Sequence, residues 1–201
     1  LFRSLGADGN DFAPIVPELV AKGWPALRFV FPHAPVQPVT INGGVPMRAW
    51  YDIHGFDARA PQDEAGIRVS IAAVEALIAR ENERGVADEN IFLVGFSQGG
   101  AIALSAGLRH ARALAGIVAL STYVPISSLL AAERHAANAA TPIFWGHGSA
   151  DPVVLYQRGV DSRELLQSLG YTVDWHSYPM PHSVCAQEIA DLRQWLGARL
   201  A

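Results

Sequence analysis

Apolar residues recur at steps of three and four through Ile67, Ile71, Val74, Leu77 and Ile78, while Glu75, Arg80 and Glu81 fall off that stripe. This is the period of a helix with one buried face, and Gly85 closes it. At Ile91, Phe92, Leu93 and Val94 the pattern changes to a short unbroken apolar run, as in a strand covered on both faces. Two more such runs follow, at 116–120 and 142–146. Residues 127–137 and 155–169 read as helices, the second stopped by Gly170. Residues 171–176 alternate as a last strand, and 184–200 form a terminal helix. Upstream, 17–22 reads as a short helix and 27–31 as a strand ended by Pro32. The Pro- and Gly-rich segment to Trp50 reads as loop, with a short hairpin around Asn42, Gly43 and Gly44. Strands alternating with helices predict an α/β fold, a mainly parallel sheet with helices on both faces. Catalytic groups then belong at the carboxyl ends of the strands.

A chain of 201 residues can bury one substantial core, and nothing in its composition marks a linker, so a single domain spanning 1–201 is expected. The net charge is −4 and the basic residues are scattered, which argues against nucleic acid as a partner. No run approaches the roughly 18 apolar residues that span a bilayer, so no stable membrane insertion is expected. The lone cysteine, Cys185, cannot form an intramolecular disulfide. It fits a cytoplasmic protein in which it serves as a small buried hydrophobe. No His or Cys spacing matches a zinc set and no dinucleotide fingerprint occurs, so the chemistry is expected to need neither metal nor cofactor.

The candidate chemistry starts at Gly95-Phe96-Ser97-Gln98-Gly99, between the apolar run ending at Val94 and the small-residue segment 100–106. Strand, sharp turn with a serine, then helix resembles the nucleophile elbow of the α/β-hydrolases. The bland alternative is a glycine-rich turn carrying an inert serine. A serine hydroxyl needs a base to take its proton, and that base needs a third group to hold its tautomer. The chain order in this fold is Ser, then Asp or Glu, then His. Of the histidines beyond Ser97, His110 reads as a helix-end charge, His135 as solvated and His176 as a sheet-face residue. His147 directly follows a strand and competes with His182, which sits in the proline-fixed loop between the last strand and last helix. His182 is the better base because it obeys the order rule. Asp151, before Pro152 in the loop after the 142–146 strand, is the preferred acid. Asp161 and Asp191 fall in helices and Asp174 in a strand. The oxyanion formed in acyl transfer needs two N–H donors, one being the backbone of Gln98. The second is expected from the glycine-containing loop Leu5-Gly6-Ala7-Asp8-Gly9.

Together with Pro32-His33-Ala34-Pro35, Trp50-Tyr51-Asp52, Gly146-His147-Gly148 and Tyr178-Pro179-Met180, these motifs resemble the small bacterial carboxylesterases related to acyl-protein thioesterases and lysophospholipases. The resemblance runs through nearly the whole chain. It implies an α/β-hydrolase fold, Ser97, Asp151 and His182 as a triad, and the backbone N–H groups of Leu5 and Gln98 as the oxyanion hole. It also implies an acyl pocket near Trp50, Tyr51, Val153 and Val154, and a homodimer. One departure is plain: Arg3-Ser4 stand where family members show His-Gly after an apolar strand. The implied activity is hydrolysis of small carboxylic esters of short to medium acyl chains through an acyl-serine intermediate. The alternatives are an acyl-protein thioesterase or lysophospholipase, and, from another class, a hydrolase-like binding module without catalysis.

Overall fold

The computed structural model describes Gly6 and residues 9–55 and 60–200, with side chains from 12 onward in the first of these segments. A 3-10 turn, Gly9–Ile15, leads into a short helix, α1 (Val16–Leu19). It ends three residues before the expected 22, because Val20 is already extended and Gly23 turns the chain at φ +93°. Strands β1 (Val36–Val39) and β2 (Val45–Arg48) form an antiparallel hairpin around the Asn42-Gly43-Gly44 turn. The Asp52 carboxylate steadies that turn by accepting bonds from the Thr40 N–H (2.7 Å) and hydroxyl (2.5 Å).

The long helix α2 (Glu64–Glu83) starts at Asp63, whose carboxylate accepts the Gly66 N–H and so satisfies one of the orphan donors of the first turn. Its predicted stripe is buried at Ile67, Val74 and Ile78. After it come β3 (Phe92–Phe96), α3 (Gln98–Gly107), β4 (Gly116–Leu120), α4 (Ser127–Glu133), β5 (Ile143–Gly148), α5 (Tyr156–Ser168), β6 (Val173–Tyr178) and α6 (Ala186–Leu200). The strands pair in parallel in the order β3-β4-β5-β6. Alternation along them feeds two layers. Ile117, Ala119, Ile143 and Trp145 pack with Leu166 of α5, whereas Val118, Leu120 and Phe144 pack with Leu192, Trp195 and Leu196 of α6. Helix α3 is buried along its whole length. This is the α/β-hydrolase arrangement, a parallel sheet with helices on both faces.

Further expectations change, and α4 stops at Glu133 rather than 137. Residues 27–31 form no strand: a strand needs a neighbour for its hydrogen-bond ladder, and among the described residues none pairs with them. They line an apolar groove of about 520 Å³, Leu27 and Phe29 facing it together with Leu93, Leu77 and Leu192. Strand β6 runs two residues beyond the expected 176, since its pairing with β5 continues to Gly148 opposite Tyr178. Cys185 is half-buried and immediately precedes α6 rather than lying within it.

Candidate active site

The turn between β3 and α3 forces Ser97 to φ +56°, a conformation that costs a residue with a Cβ and persists only where its surroundings hold it. Three bonds do so. The Ser97 N–H donates to Leu120 O (2.8 Å), its carbonyl accepts the Thr122 hydroxyl (2.6 Å), and the same carbonyl accepts the Ala101 N–H (3.1 Å). Gly95 is required because a Cβ there would strike the Gly99 carbonyl and come within 2.5 Å of Gly100 N. Gly100 is required as well. A Cβ on it would lie 2.8 Å from both Gly95 O and the Thr122 methyl.

Ser97 Oγ lies 2.9 Å from His182 Nε2, and His182 Nδ1 lies 2.7 Å from Asp151 Oδ2. The three side chains follow the carboxyl ends of β3, β5 and β6, at one end of the sheet. The His182 ring also rests on Phe96, with ring centroids 4.7 Å apart. Asp151 is buried, and its other oxygen accepts the N–H groups of Val153 (2.8 Å) and Val154 (2.9 Å). Burial alone would raise its pKa. The bonds from His182 and these two N–H groups outweigh it and hold the carboxyl below the usual range, so Asp151 stays ionised beside the ring.

His147 lies within the last residues of β5 rather than after it, and is fully buried. Its Nε2–H donates to Val154 O (2.9 Å), its ring stacks on Trp175, and burial pushes its pKa down. It therefore supports the loop that carries Asp151. His110 sits just beyond α3, gripped between Glu75 (2.8 Å) and Asp88 (2.7 Å) rather than serving as a bare helix-end charge. His135 is exposed and accepts the Ala137 N–H, and His176 stacks on Phe144 from β6. Asp161 and Asp191 lie in α5 and α6, and Asp174 in β6.

Gln98 opens α3, where backbone N–H groups have no partner within the helix and the dipole favours negative charge. Its side chain has a role the sequence did not show. Oε1 accepts the Trp50 N–H (2.8 Å) and Nε2 donates to Tyr51 O (2.7 Å), fixing that segment against the elbow. Leu5 lies outside the described residues, as do Arg3 and Ser4. The neighbouring Gly6 is tied to Arg48 O at the end of β2 (2.8 Å). Trp50 and Tyr51 are buried against Ile67 and Val74, and Val154 is buried beside Asp151. Among the described residues no cluster of three His, Cys, Asp or Glu side chains could hold a metal ion.

The sequence pattern of the phospholipase/carboxylesterase family matches residues 4–200. The chain is 39% identical to acyl-protein thioesterase 1 of Cryptococcus neoformans, over 96% of this chain and 88% of that protein. It is 33% identical to carboxylesterase SOBER1 of Arabidopsis thaliana, over 98% of this chain and 88% of that one. The crystal structure of SOBER1 superimposes with a TM-score of 0.94, covering 100% of this chain and 97% of the other at 32% identity. That of Zea mays acyl-protein thioesterase 2 gives 0.87 at 30% identity, covering 100% and 92%. The chain belongs to the phospholipase/carboxylesterase family of α/β-hydrolases.

Proposed function

We propose that this protein is a serine hydrolase that cleaves carboxylic esters of short to medium acyl chains, acting as one α/β-hydrolase domain. The observation that carries the reading is the relay of 2.9 and 2.7 Å from Ser97 through His182 to Asp151. In this reading Ser97 Oγ attacks the ester carbonyl while His182 Nε2 takes its proton. Asp151 holds Nδ1–H and stabilises the imidazolium. Negative charge on the carbonyl oxygen is met by the Gln98 N–H at the start of α3, with the second donor assigned to Leu5. Collapse of the adduct expels the alcohol, protonated by His182, and leaves an acyl-serine that water cleaves by the same steps in reverse.

The relatives named acyl-protein thioesterase favour thioesters as a second substrate class. Release of p-nitrophenol from p-nitrophenyl butyrate, with fluorophosphonate labelling, tests the first reading. Ser97→Ala should abolish both, and an alanine variant that retains turnover would overturn it. A matched palmitoyl thioester and short ester, compared by kcat/KM, decide between the two substrate classes. A cytoplasmic site of action and homodimerisation belong to the same proposal. Sedimentation equilibrium reads the latter.

A further inference from the structure

The carboxyl edge of the sheet carries a cation that the triad does not use. Arg158 lies in the first turn of α5, just beyond the Asp151 loop, and its guanidinium carbon stands 3.4 Å above the Tyr123 ring centroid. The Tyr123 hydroxyl is 2.8 Å from that of Tyr51. Both tyrosines adjoin the elbow. Tyr123 follows Thr122, whose hydroxyl holds the Ser97 carbonyl, and the Tyr51 carbonyl accepts from Gln98. The stack is therefore carried by segments that are tied to the elbow.

Arg158 has no carboxylate partner among the described residues. Arg28, Arg68, Arg84, Arg109, Arg112 and Arg163 each pair with one. The guanidinium of Arg158 makes no ion pair or hydrogen bond with any described residue. A guanidinium lying flat on a ring keeps its in-plane N–H donors pointing outward, in the fork that suits carboxylate or phosphate oxygens. The tyrosine pair adds a donor. Two hydroxyls share one hydrogen bond, so one O–H remains to give, and burial raises the Tyr51 pKa so that this phenol stays neutral.

We infer that Arg158, Tyr123 and Tyr51 form an anion-recognising subsite beside Ser97, and that the preferred substrates are esters carrying a carboxylate or phosphate group. The inference deepens the hydrolase reading and rests on it. The anionic oxygens could belong to the acyl or the alcohol part, and two substrate pairs distinguish these. For the acyl part, mono-p-nitrophenyl succinate is compared with p-nitrophenyl butyrate. For the alcohol part, 1-butyrylglycerol 3-phosphate is compared with 1-butyrylglycerol.

The wild-type protein should favour the anionic member of one pair in kcat/KM. Arg158→Gln should lower that preference by about fivefold or more, the worth of one charge-assisted contact, and Arg158→Lys should restore part of it. Added salt should erode the wild-type preference. No preference in either pair, or a preference that survives Arg158→Gln, overturns the inference. Fluorophosphonate labelling of Ser97 in the wild-type protein reports on the relay alone, so failure of the subsite and failure of the hydrolase reading give different results.

Discussion

His147 Nε2 lies 3.7 Å from Asp151 Oδ2, the oxygen that holds His182 at 2.7 Å. Two histidines thus adjoin one carboxylate, and their surroundings divide the work between them. His147 gives its proton to Val154 O, and the Val154 N–H in turn bonds the other oxygen of Asp151. It acts through the loop. His182 reaches the serine. His182→Ala should lower kcat on p-nitrophenyl butyrate by about 10³-fold or more, as for removal of a triad base. His147→Ala should cost about 2–4 kcal/mol of stability, as for a buried large-to-small change, with a loss in kcat of only about 10–100-fold. Equal losses of kcat, measured well below both melting temperatures, would contradict this division.

The Gln98 side chain spans the Trp50 N–H and the Tyr51 carbonyl, and is itself buried. Gln98→Leu fits the space but removes the bond that each of these backbone groups makes to Gln98. A cost of about 2–4 kcal/mol is expected, a fall in Tm of roughly 5–15 °C for a chain of this size. Gln98→Glu keeps an acceptor for Trp50 but turns an oxygen toward the Tyr51 carbonyl, so it should not restore the wild-type Tm. Thermal unfolding followed by circular dichroism checks both. A Tm within about 2 °C of wild type for Gln98→Leu would show that the clamp adds nothing.

The elements of the relay could be read from the sequence because each depends on local chemistry. A tight strand-to-helix turn needs glycines at fixed offsets, which Gly95 supplies, and Asp151 and His182 occupy loops that follow strands. The part played by the Gln98 side chain could not be read, since its partners lie 47 and 48 residues away and no periodicity links them. His110 was obscured for the same reason, as Glu75 and Asp88 reach it from α2 and from the turn after it. Residues 27–31 have the composition of a strand, and their alternate rings Phe29 and Phe31 stack on one side. Composition records the preference of a segment, whereas a strand also needs a neighbour. Among the described residues no strand pairs with 27–31.

The elbow tolerates very little added volume. Gly95→Ala would drive a methyl group into the Gly99 carbonyl, and neither strand nor helix can withdraw without moving Ser97. Fluorophosphonate labelling should be lost and stability should fall by about 3 kcal/mol or more. Gly100→Ala meets Gly95 O and the Thr122 side chain, and one of those atoms is a methyl carbon. Adding Thr122→Ser removes that methyl and keeps the hydroxyl that holds the Ser97 carbonyl. The double variant should recover part of the Tm lost by Gly100→Ala. No recovery would place the strain in the contacts that remain, with Gly95 O and with the Cβ of residue 122, 2.9 Å away.

Glu188 gives the stability of the protein a dependence on pH opposite to that of Asp151. Its carboxyl, in the first turn of α6, is fully buried against Gly146 of β5, and neither oxygen has a well-formed hydrogen bond. Burial, opposed only in part by the nearby Cys185 N–H and reinforced by Asp191, pushes its pKa up to about 8 from an ordinary 4.5. The folded protein therefore holds a proton that the unfolded chain releases, and stability falls as pH rises from about 4.5 to about 8. Asp151 works the other way. Its lowered pKa contributes stability above the unfolded value of about 3.9, and that contribution is lost as pH falls through the lower folded value. Glu188→Gln replaces a neutral acid with a neutral amide of similar shape. It should leave Tm near the wild-type value at pH 4.5 and raise it relative to wild type by an amount that grows toward pH 8, corresponding to a few kcal/mol. Parallel Tm curves for the two proteins between pH 4.5 and 8 would show that Glu188 keeps its charge in the folded state, despite burial that leaves it no cation to pair with among the described residues.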